Sequence, residues 1–155
     1  RFIMTIRQDR IIVRLRIAPI KEYILKISII ALGLIMLPVS AFAIEKCGAG
    51  QRHTCVVDGD TIWLEGEKIR MMGYDTPEPQ TNICGGSREV ALANQASDRL
   101  VQLLNQGGVS IERHGKDRYD RTLAVVSVGG QNVGDLLVGE GLARYWPDGP
   151  EFWCN

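Results

Sequence analysis

Two aspartates lie two residues apart in the stretch Asp58-Gly59-Asp60-Thr61. In an extended segment, residues at this spacing project to the same side of the chain, so both carboxylates can face one point. Paired carboxylate oxygens suit a hard cation such as Ca²⁺ or Mg²⁺. The Asp-Gly pair is also common in hairpin turns, and the motif taken alone favours that simpler interpretation.

A second group of ionisable residues lies in the segment that begins at Arg70. Arg70 stands among apolar residues, and Asp75 and Glu78 flank a Thr-Pro step. Because Pro77 has a fixed φ and restricts the residue before it, the two acids would be held in a defined relation. A strand-end turn with solvated acids would explain the same residues.

The third group is a charged turn that leads into an apolar segment, Asp117-Arg118-Tyr119-Asp120-Arg121-Thr122-Leu123-Ala124. An arginine at the start of a strand can reach a phosphate, because its planar guanidinium offers paired N–H donors to the phosphate oxygens. A solvated hairpin is the alternative interpretation of this group.

Short strands and one long helix must position these motifs. β-branched and aromatic residues predict strands over residues 52–57, 61–64, 68–74, 109–113, 121–128 and 142–146. Ser87 is the predicted N-cap of a helix that ends near Gln106, and residues 133–140 form a short helix. The buried stripe of the long helix is predicted to be Ala93, Ala96, Leu100, Leu103 and Leu104. This pattern indicates a small β-barrel with helices packed on it.

Together and in this order, the three motifs resemble the staphylococcal-nuclease-like (thermonuclease) family. The similarity runs from about Val56 to Trp146 and includes Gly141-Leu142-Ala143. It implies an α+β, mainly β fold, a five-stranded OB-type barrel with one main helix and one short helix. It also implies a Ca²⁺-dependent endonuclease that hydrolyses the phosphodiester bonds of DNA and RNA.

The resemblance assigns the metal ligands by position. Asp60, Asp75 and the backbone carbonyl of Thr76 would hold Ca²⁺. Asp58 would lie close to the metal without binding it directly.

The resemblance also assigns the catalytic residues. Glu78 would be the general base that activates water, while Arg70 and Arg121 would hold the scissile phosphate and stabilise its phosphorane-like transition state. Arg118 and Tyr119 match the part of the motif that binds substrate.

Asp120, within the third motif, departs from the family pattern. It stands where the family usually has glycine, and aspartate tolerates a positive φ better than most residues.

A non-catalytic OB-type module that binds nucleic acid or protein is the alternative to a nuclease. The complete set of acids and arginines favours the nuclease, because a binding module has no need of all of them.

The N-terminal residues 1–43 have the features of a signal peptide. Seven basic side chains precede an apolar run over Ile27–Leu37, and a small-x-small end follows at Ala41 and Ala43. The domain would then comprise residues 44–155, exported to the periplasm or secreted. The alternatives are an uncleaved signal anchor and a reading frame that is extended at its N-terminus.

The four cysteines all follow the predicted signal peptide. An even number in an exported domain indicates two disulfides, and three pairings are possible. Proximity in sequence favours Cys47–Cys55, which leaves Cys84–Cys154 to tie down the C-terminus. A zinc site is the competing interpretation, although the chain lacks a Cys-x-x-Cys motif.

The formal net charge of 0 is an average over two unlike parts. Residues 1–43 carry +5 and residues 44–155 carry −5. An acidic domain does not bind a polyanion through bulk electrostatics, so nucleic acid would be a substrate held at a few placed groups. We expect a monomer with no stable membrane association after signal cleavage.

Overall fold

The computed structural model of the protein describes residues 43–80 and 84–154. The predicted signal peptide therefore lies outside the described residues, apart from Ala43. The described part of the chain is α+β and mainly β, as the sequence predicts. None of its helices is long and apolar enough to cross a bilayer.

Within the described residues, the strands form two sheets. The strands are β1 (Cys55–Val56), β2 (Thr61–Leu64), β3 (Glu67–Met71), β4 (Tyr74–Asp75), β5 (Val109–Lys116), β6 (Thr122–Val128), β7 (Gln131–Asn132) and β8 (Arg144–Tyr145). The larger sheet has the order β1-β2-β3-β6-β5, with β7 beside β6. In it only β3 and β6 are parallel. β4 and β8 form a separate antiparallel pair.

The sequence predicts a barrel, but the described strands do not close into one. A path of five strands is present, but no strand pairing among the described residues joins β1 to β5. The second edge of β1 is occupied by the chain that precedes it: Val56 N–H donates to the Glu45 carbonyl at 2.8 Å, and Cys47 N–H donates to the Val56 carbonyl at 2.8 Å. A two-residue strand with both edges taken cannot also pair with β5.

The predicted strand over residues 68–74 is divided in two. β3 ends at Met71 and β4 begins at Tyr74, with Gly73 between them at φ +86°. Glycine adopts this left-handed conformation without the steric cost that a side chain brings. The break lets β4 leave the larger sheet and pair with β8, which redirects Asp75.

Two α-helices are present in the described part of the chain, and both contribute residues to the apolar core. They are α1 (Gly86–Asn105) and α2 (Val133–Gly139), and a short 3₁₀ turn follows at Phe152–Cys154. The predicted N-cap at Ser87 is wrong, because the helix starts one residue earlier and Ser87 lies inside it. Gly85 precedes the helix without a side-chain cap, and its N–H donates at 2.8 Å to the Glu89 carboxylate in the first turn.

Burial follows the predicted periodicity. The apolar stripe of α1 is buried throughout, at Ala93, Ala96, Leu100, Leu103 and Leu104. In β6 every second residue is buried, as expected for a strand with one face on the core. The three leucines of the stripe join Ile69 of β3 and Leu137 of α2 in one apolar cluster. This core fixes β3, the strand that carries Arg70.

The structure contains two disulfides, Cys47–Cys55 and Cys84–Cys154, the pairing that the sequence favours. The first links the N-terminal segment to β1. The second spans 70 residues and joins the loop before α1 to the C-terminal 3₁₀ turn. Because no cysteine is left as a free thiol, the zinc interpretation loses its ligands.

Removing the long-range disulfide should destabilise the protein more than removing the local one. Closing a longer loop restricts the unfolded chain more, so we expect losses of about 4.4 kcal/mol for the Cys84→Ala, Cys154→Ala variant and about 2.6 kcal/mol for the Cys47→Ala, Cys55→Ala variant. Urea denaturation of the two variants measures both losses. A larger loss for the Cys47–Cys55 variant would contradict this expectation.

Candidate active site

Arg70 joins two of the sequence motifs through one guanidinium group. Its Nη1 donates to Asp60 Oδ1 at 2.7 Å, and its Nη2 donates to Asp75 Oδ1 at 3.0 Å. Asp60 precedes β2 directly, whereas Asp75 ends β4 beyond the Gly73 break. The structure therefore brings together Asp60, Arg70 and Asp75, as the sequence motifs predict.

Asp60 is the most deeply buried acid of this group, with 2% of its surface exposed. Burial raises the pKa of Asp60 well above its usual value, and the negative charge of Asp58 adds to the rise. The positive charge of Arg70 opposes the rise, and so does the Thr61 hydroxyl, which donates to Asp60 Oδ1 at 2.9 Å. Burial is thus the main reason that the charged form of Asp60 is disfavoured.

The Asp-Gly-Asp segment is held tightly against β4 and α1. The Asp60 N–H donates to Asp58 Oδ1 at 3.1 Å, and the buried Tyr74 hydroxyl donates to the Gly59 carbonyl at 3.0 Å. A Cβ atom at Gly59 would lie only 2.6 Å from the Thr76 side chain. Glycine is therefore required between the two aspartates, because a larger residue would push them away from Thr76.

Arg144 of β8 holds the other oxygen of Asp75. Its Nε and Nη2 donate to Asp75 Oδ2 at 3.2 and 3.1 Å, so two arginines share this one carboxylate. Arg144 is only 8% exposed. The sequence analysis missed this residue because it treated residues 142–146 as strand alone. An arginine within a short apolar segment was the available signal.

The C-terminal tail surrounds the Arg144 side chain. Nη1 donates to the Gly149 carbonyl at 2.6 Å, and Nη2 donates to the Glu151 carboxylate at 2.8 Å. The guanidinium carbon lies 5.0 Å from the centre of the Trp146 ring and 5.9 Å from that of Trp153. With its donors engaged and rings beside it, Arg144 is fixed and in turn fixes Asp75.

Glu89 holds the backbone of the loop that carries Glu78. It is fully buried at 0% exposure, and it accepts backbone N–H bonds from Glu78 at 3.2 Å, Cys84 at 3.0 Å and Gly85 at 2.8 Å. The sequence analysis missed it as well. A glutamate three residues after the Cys-Gly-Gly sequence at the start of a predicted helix was the signal.

Glu78 itself lies at the exposed edge of the group. Partial desolvation raises the pKa of its carboxyl, the charge of Asp58 adds to the rise, and Arg70 opposes it. Glu78 is thus electrostatically coupled to the Asp60–Arg70–Asp75 group. Its backbone is held by Glu89, while the side chain stays accessible.

The third sequence motif forms its own cluster. Arg121 donates through Nε and Nη2 to Asp117 Oδ2, each at 2.7 Å. Among the described residues, no hydrogen bond or ion pair joins Arg121 to the Arg70 group. Tyr119 is 64% exposed, with Arg118 and Arg121 near its ring. Asp120 has φ +62°, which confirms that this position needs a residue tolerant of the left-handed region.

The acids around Arg70 fit a hard divalent cation. The carboxylates of Asp60 and Asp75 are the type of ligand that Ca²⁺ prefers, and the Thr76 carbonyl follows directly in the chain. Burial and the neighbouring acids both disfavour the charged forms of Asp60 and Glu78 and so raise their pKa values. A cation beside these carboxylates would stabilise their charged forms.

These features define a small α+β protein with an acid–arginine site at the edge of its sheet. The sequence model of the staphylococcal nuclease homologue family matches residues 68–151, more than half of the chain. The chain belongs to this family. The matched region includes Arg70, Asp75, Glu78 and Arg121, whereas Asp60 precedes it.

Proteins named as a thermonuclease or as endonucleases are similar to the chain. It is 39% identical over 98 residues to a thermonuclease of Staphylococcus hyicus, covering 57% of this chain and 54% of that protein. It is 34% identical over 127 residues to an uncharacterized endonuclease of Haemophilus influenzae, covering 76% and 63%. Endonuclease YncB of Bacillus subtilis is 38% identical over 96 residues, covering 57% and 44%. The chain thus spans about half to two thirds of these relatives.

Replacing Arg144 should destabilise the protein strongly. The Arg144→Gln variant removes a buried guanidinium that holds Asp75 Oδ2 and the Glu151 carboxylate, so we expect a loss of about 3 kcal/mol in the free energy of unfolding. Urea denaturation at neutral pH measures it. Arg99→Gln is the matched control, because Arg99 forks onto Glu140 at the surface and its loss should cost about 1 kcal/mol or less. Similar losses in the two variants would contradict the proposed difference.

The contribution of Glu89 should depend on pH. Burial raises the pKa of Glu89, but its backbone N–H donors outweigh this effect and leave the pKa below the usual value. The stabilisation is therefore present above the pKa of an unfolded glutamate, about 4.3, and is lost as the pH falls through the lower pKa of the folded protein.

We expect Glu89→Gln to lose about 2 kcal/mol of unfolding free energy at pH 7, and the difference from wild type to shrink in acid. Urea denaturation across this pH range measures it. Glu112→Gln, at an exposed acid of β5, is the control and should show little change. A Glu89→Gln effect that does not vary with pH would count against the role of the charge.

Proposed function

We propose that the protein is an exported, Ca²⁺-dependent nuclease that hydrolyses phosphodiester bonds of DNA and RNA. The observation that carries the proposal is the bridging of Asp60 and Asp75 by Arg70, with Glu78 coupled to the same group. Membership of the staphylococcal nuclease homologue family and the endonuclease names of similar proteins support it.

The proposed Ca²⁺ ligands are the carboxylates of Asp60 and Asp75 and the carbonyl of Thr76. When bound, the cation would act as a Lewis acid on a phosphoryl oxygen. Asp58 shapes the turn by accepting the Asp60 N–H bond and contributes negative charge, which supports a place beside the metal rather than on it.

Glu78 is the proposed general base. It would accept a proton from the attacking water. Its pKa is raised toward the working pH, and a general base is most efficient when its pKa lies near that pH. Its exposed side chain leaves room for water and substrate. Glu89 holds the Glu78 N–H and so limits the positions from which the base can act.

Arg70 and Arg121 are the proposed phosphate ligands. A guanidinium offers forked donors to the phosphoryl oxygens and stabilises the charge that develops on them in the transition state. Arg70 would exchange part of its pairing with Asp60 and Asp75 for the phosphate. Arg121 would do the same with Asp117, while Arg118 and Tyr119 bind the substrate nearby.

Export to the periplasm or out of the cell is part of the proposal. Two disulfides support an oxidising compartment, because such bonds are rare in a reducing cytosol. The proposed protein is a monomer with nucleic acid as its substrate.

A nuclease assay with matched variants tests the function. The purified protein should degrade single-stranded DNA and RNA with Ca²⁺ and stop when a chelator is added. Glu78→Gln should lower kcat by about 10²–10⁴, and Arg70→Gln by about 10²–10³. Glu112→Gln controls for the loss of one negative charge and should keep full activity.

Two outcomes would overturn the proposal. Equal digestion by wild type and Glu78→Gln would remove the proposed base. Oligonucleotide binding without cleavage under any divalent cation would identify a binding module in place of an enzyme.

A further inference from the structure

A basic groove lies beside the third sequence motif, on the half-exposed side of β3. Its volume is about 330 Å³, and Trp63, Lys68, Lys116, Tyr119 and Arg121 are among the residues that line it. Because Arg121 is one of the two proposed phosphate ligands, the groove adjoins the site where the scissile phosphate would bind.

The strand register places Lys68 and Arg70 on one face of β3. Residues two apart in a strand project to the same side, about 6.6 Å from each other along the chain. In β3 the alternating residues Ile69 and Met71 are buried, whereas Lys68 and Arg70 are half-exposed. Arg70 lies opposite Thr61, and Lys68 lies opposite Trp63. The face that carries Arg70 therefore continues into the groove.

Lys68 is the cation of the groove that remains available. The Lys116 ammonium pairs with Asp120 at 2.6 Å, and Arg121 pairs with Asp117 at 2.7 Å. In the described part of the chain, no hydrogen bond or ion pair engages the Lys68 ammonium. An ammonium without a protein partner can bind an anion without first giving up another contact.

The acids that line the groove are already paired. Glu67 accepts from the Arg113 guanidinium at 2.7 Å and from the Thr122 hydroxyl at 2.7 Å. Asp120 accepts from Lys116. Neither carboxylate is therefore free to neutralise Lys68, and the groove favours an anionic ligand even though residues 44–155 carry a net charge of −5.

We propose that this groove binds the phosphate next to the scissile one on the substrate strand, with Lys68 as its ligand. The inference rests on the proposed nuclease function. The two-residue spacing from Arg70 to Lys68 is comparable to the separation of adjacent phosphates along an extended strand. Trp63 and the exposed Tyr119 ring provide apolar walls for the intervening sugar and base.

Substrates of two lengths distinguish the proposed role of Lys68 from the roles of the residues that bind the scissile phosphate. A dinucleoside monophosphate has only one phosphodiester, whereas a short single-stranded oligonucleotide also offers neighbouring phosphates. Lys68→Gln should raise KM for the oligonucleotide about threefold and leave kcat unchanged, because one phosphate contact is lost. It should leave both constants for the dinucleoside monophosphate unchanged. Lys68→Arg, which keeps the charge, should behave as wild type on both substrates.

Binding in the presence of a chelator gives a readout that does not need cleavage. Fluorescence anisotropy of a labelled oligonucleotide should show that the slope of log Kd against log salt is smaller by about 0.7 in Lys68→Gln, as expected for one phosphate contact on a single strand. Lys46→Gln is the control, because Lys46 pairs with Asp98 and Asn94 of α1. It should keep the wild-type slope.

The outcomes distinguish this inference from the proposed function. A Lys68→Gln variant with wild-type KM and salt slope would overturn the groove proposal and leave the nuclease intact. An equal effect on the dinucleoside monophosphate would also overturn it, since Lys68 would then act at the scissile phosphate. Wild-type protein that binds the oligonucleotide with the expected slope difference but never cleaves would overturn the nuclease alone.

Discussion

The pairing of Arg70 with Asp60 and Asp75 is the interaction on which the site depends. Asp60 is almost completely buried, and a buried charge is tolerated only when it is paired and hydrogen-bonded. One guanidinium serves two carboxylates, one directly before β2 and one at the end of β4, so β2, β3 and β4 must keep a fixed relation. The Gly73 break allows this relation, because it turns β4 out of the larger sheet and brings Asp75 back to Arg70.

Residues far away in sequence support this centre. Arg144 lies 69 residues from Asp75 and holds its second oxygen, and the C-terminal tail holds Arg144. Glu89 connects the Glu78 backbone to the turn before α1, where the Cys84–Cys154 disulfide also attaches the tail. The buried charges that stabilise the protein are thus the same groups that orient the candidate active site.

The sequence predicted the parts of this arrangement that depend on local patterns. The helical stripe of α1 follows from spacing. Asp60, Arg70 and Asp75, which come from two separate motifs, lie together in the structure. Arg144 and Glu89 were missed because their meaning comes from partners that only the tertiary structure supplies. The N-cap prediction at Ser87 was wrong because Glu89 binds the Gly85 N–H. The predicted closure of the barrel was wrong because the segment before β1 occupies the free edge of β1. Arg121, which the family resemblance assigns to the same phosphate as Arg70, pairs with Asp117 in the structure.

Calorimetric titration with Ca²⁺ tests the central claim most directly, because it does not require turnover. If the acids around Arg70 form a cation site, wild-type protein will bind one Ca²⁺, and Asp60→Asn will abolish that binding or weaken it by at least about tenfold. Asp98→Asn, at an exposed acid of α1, will bind as wild type. Equal Ca²⁺ affinity in wild type and Asp60→Asn would contradict the account.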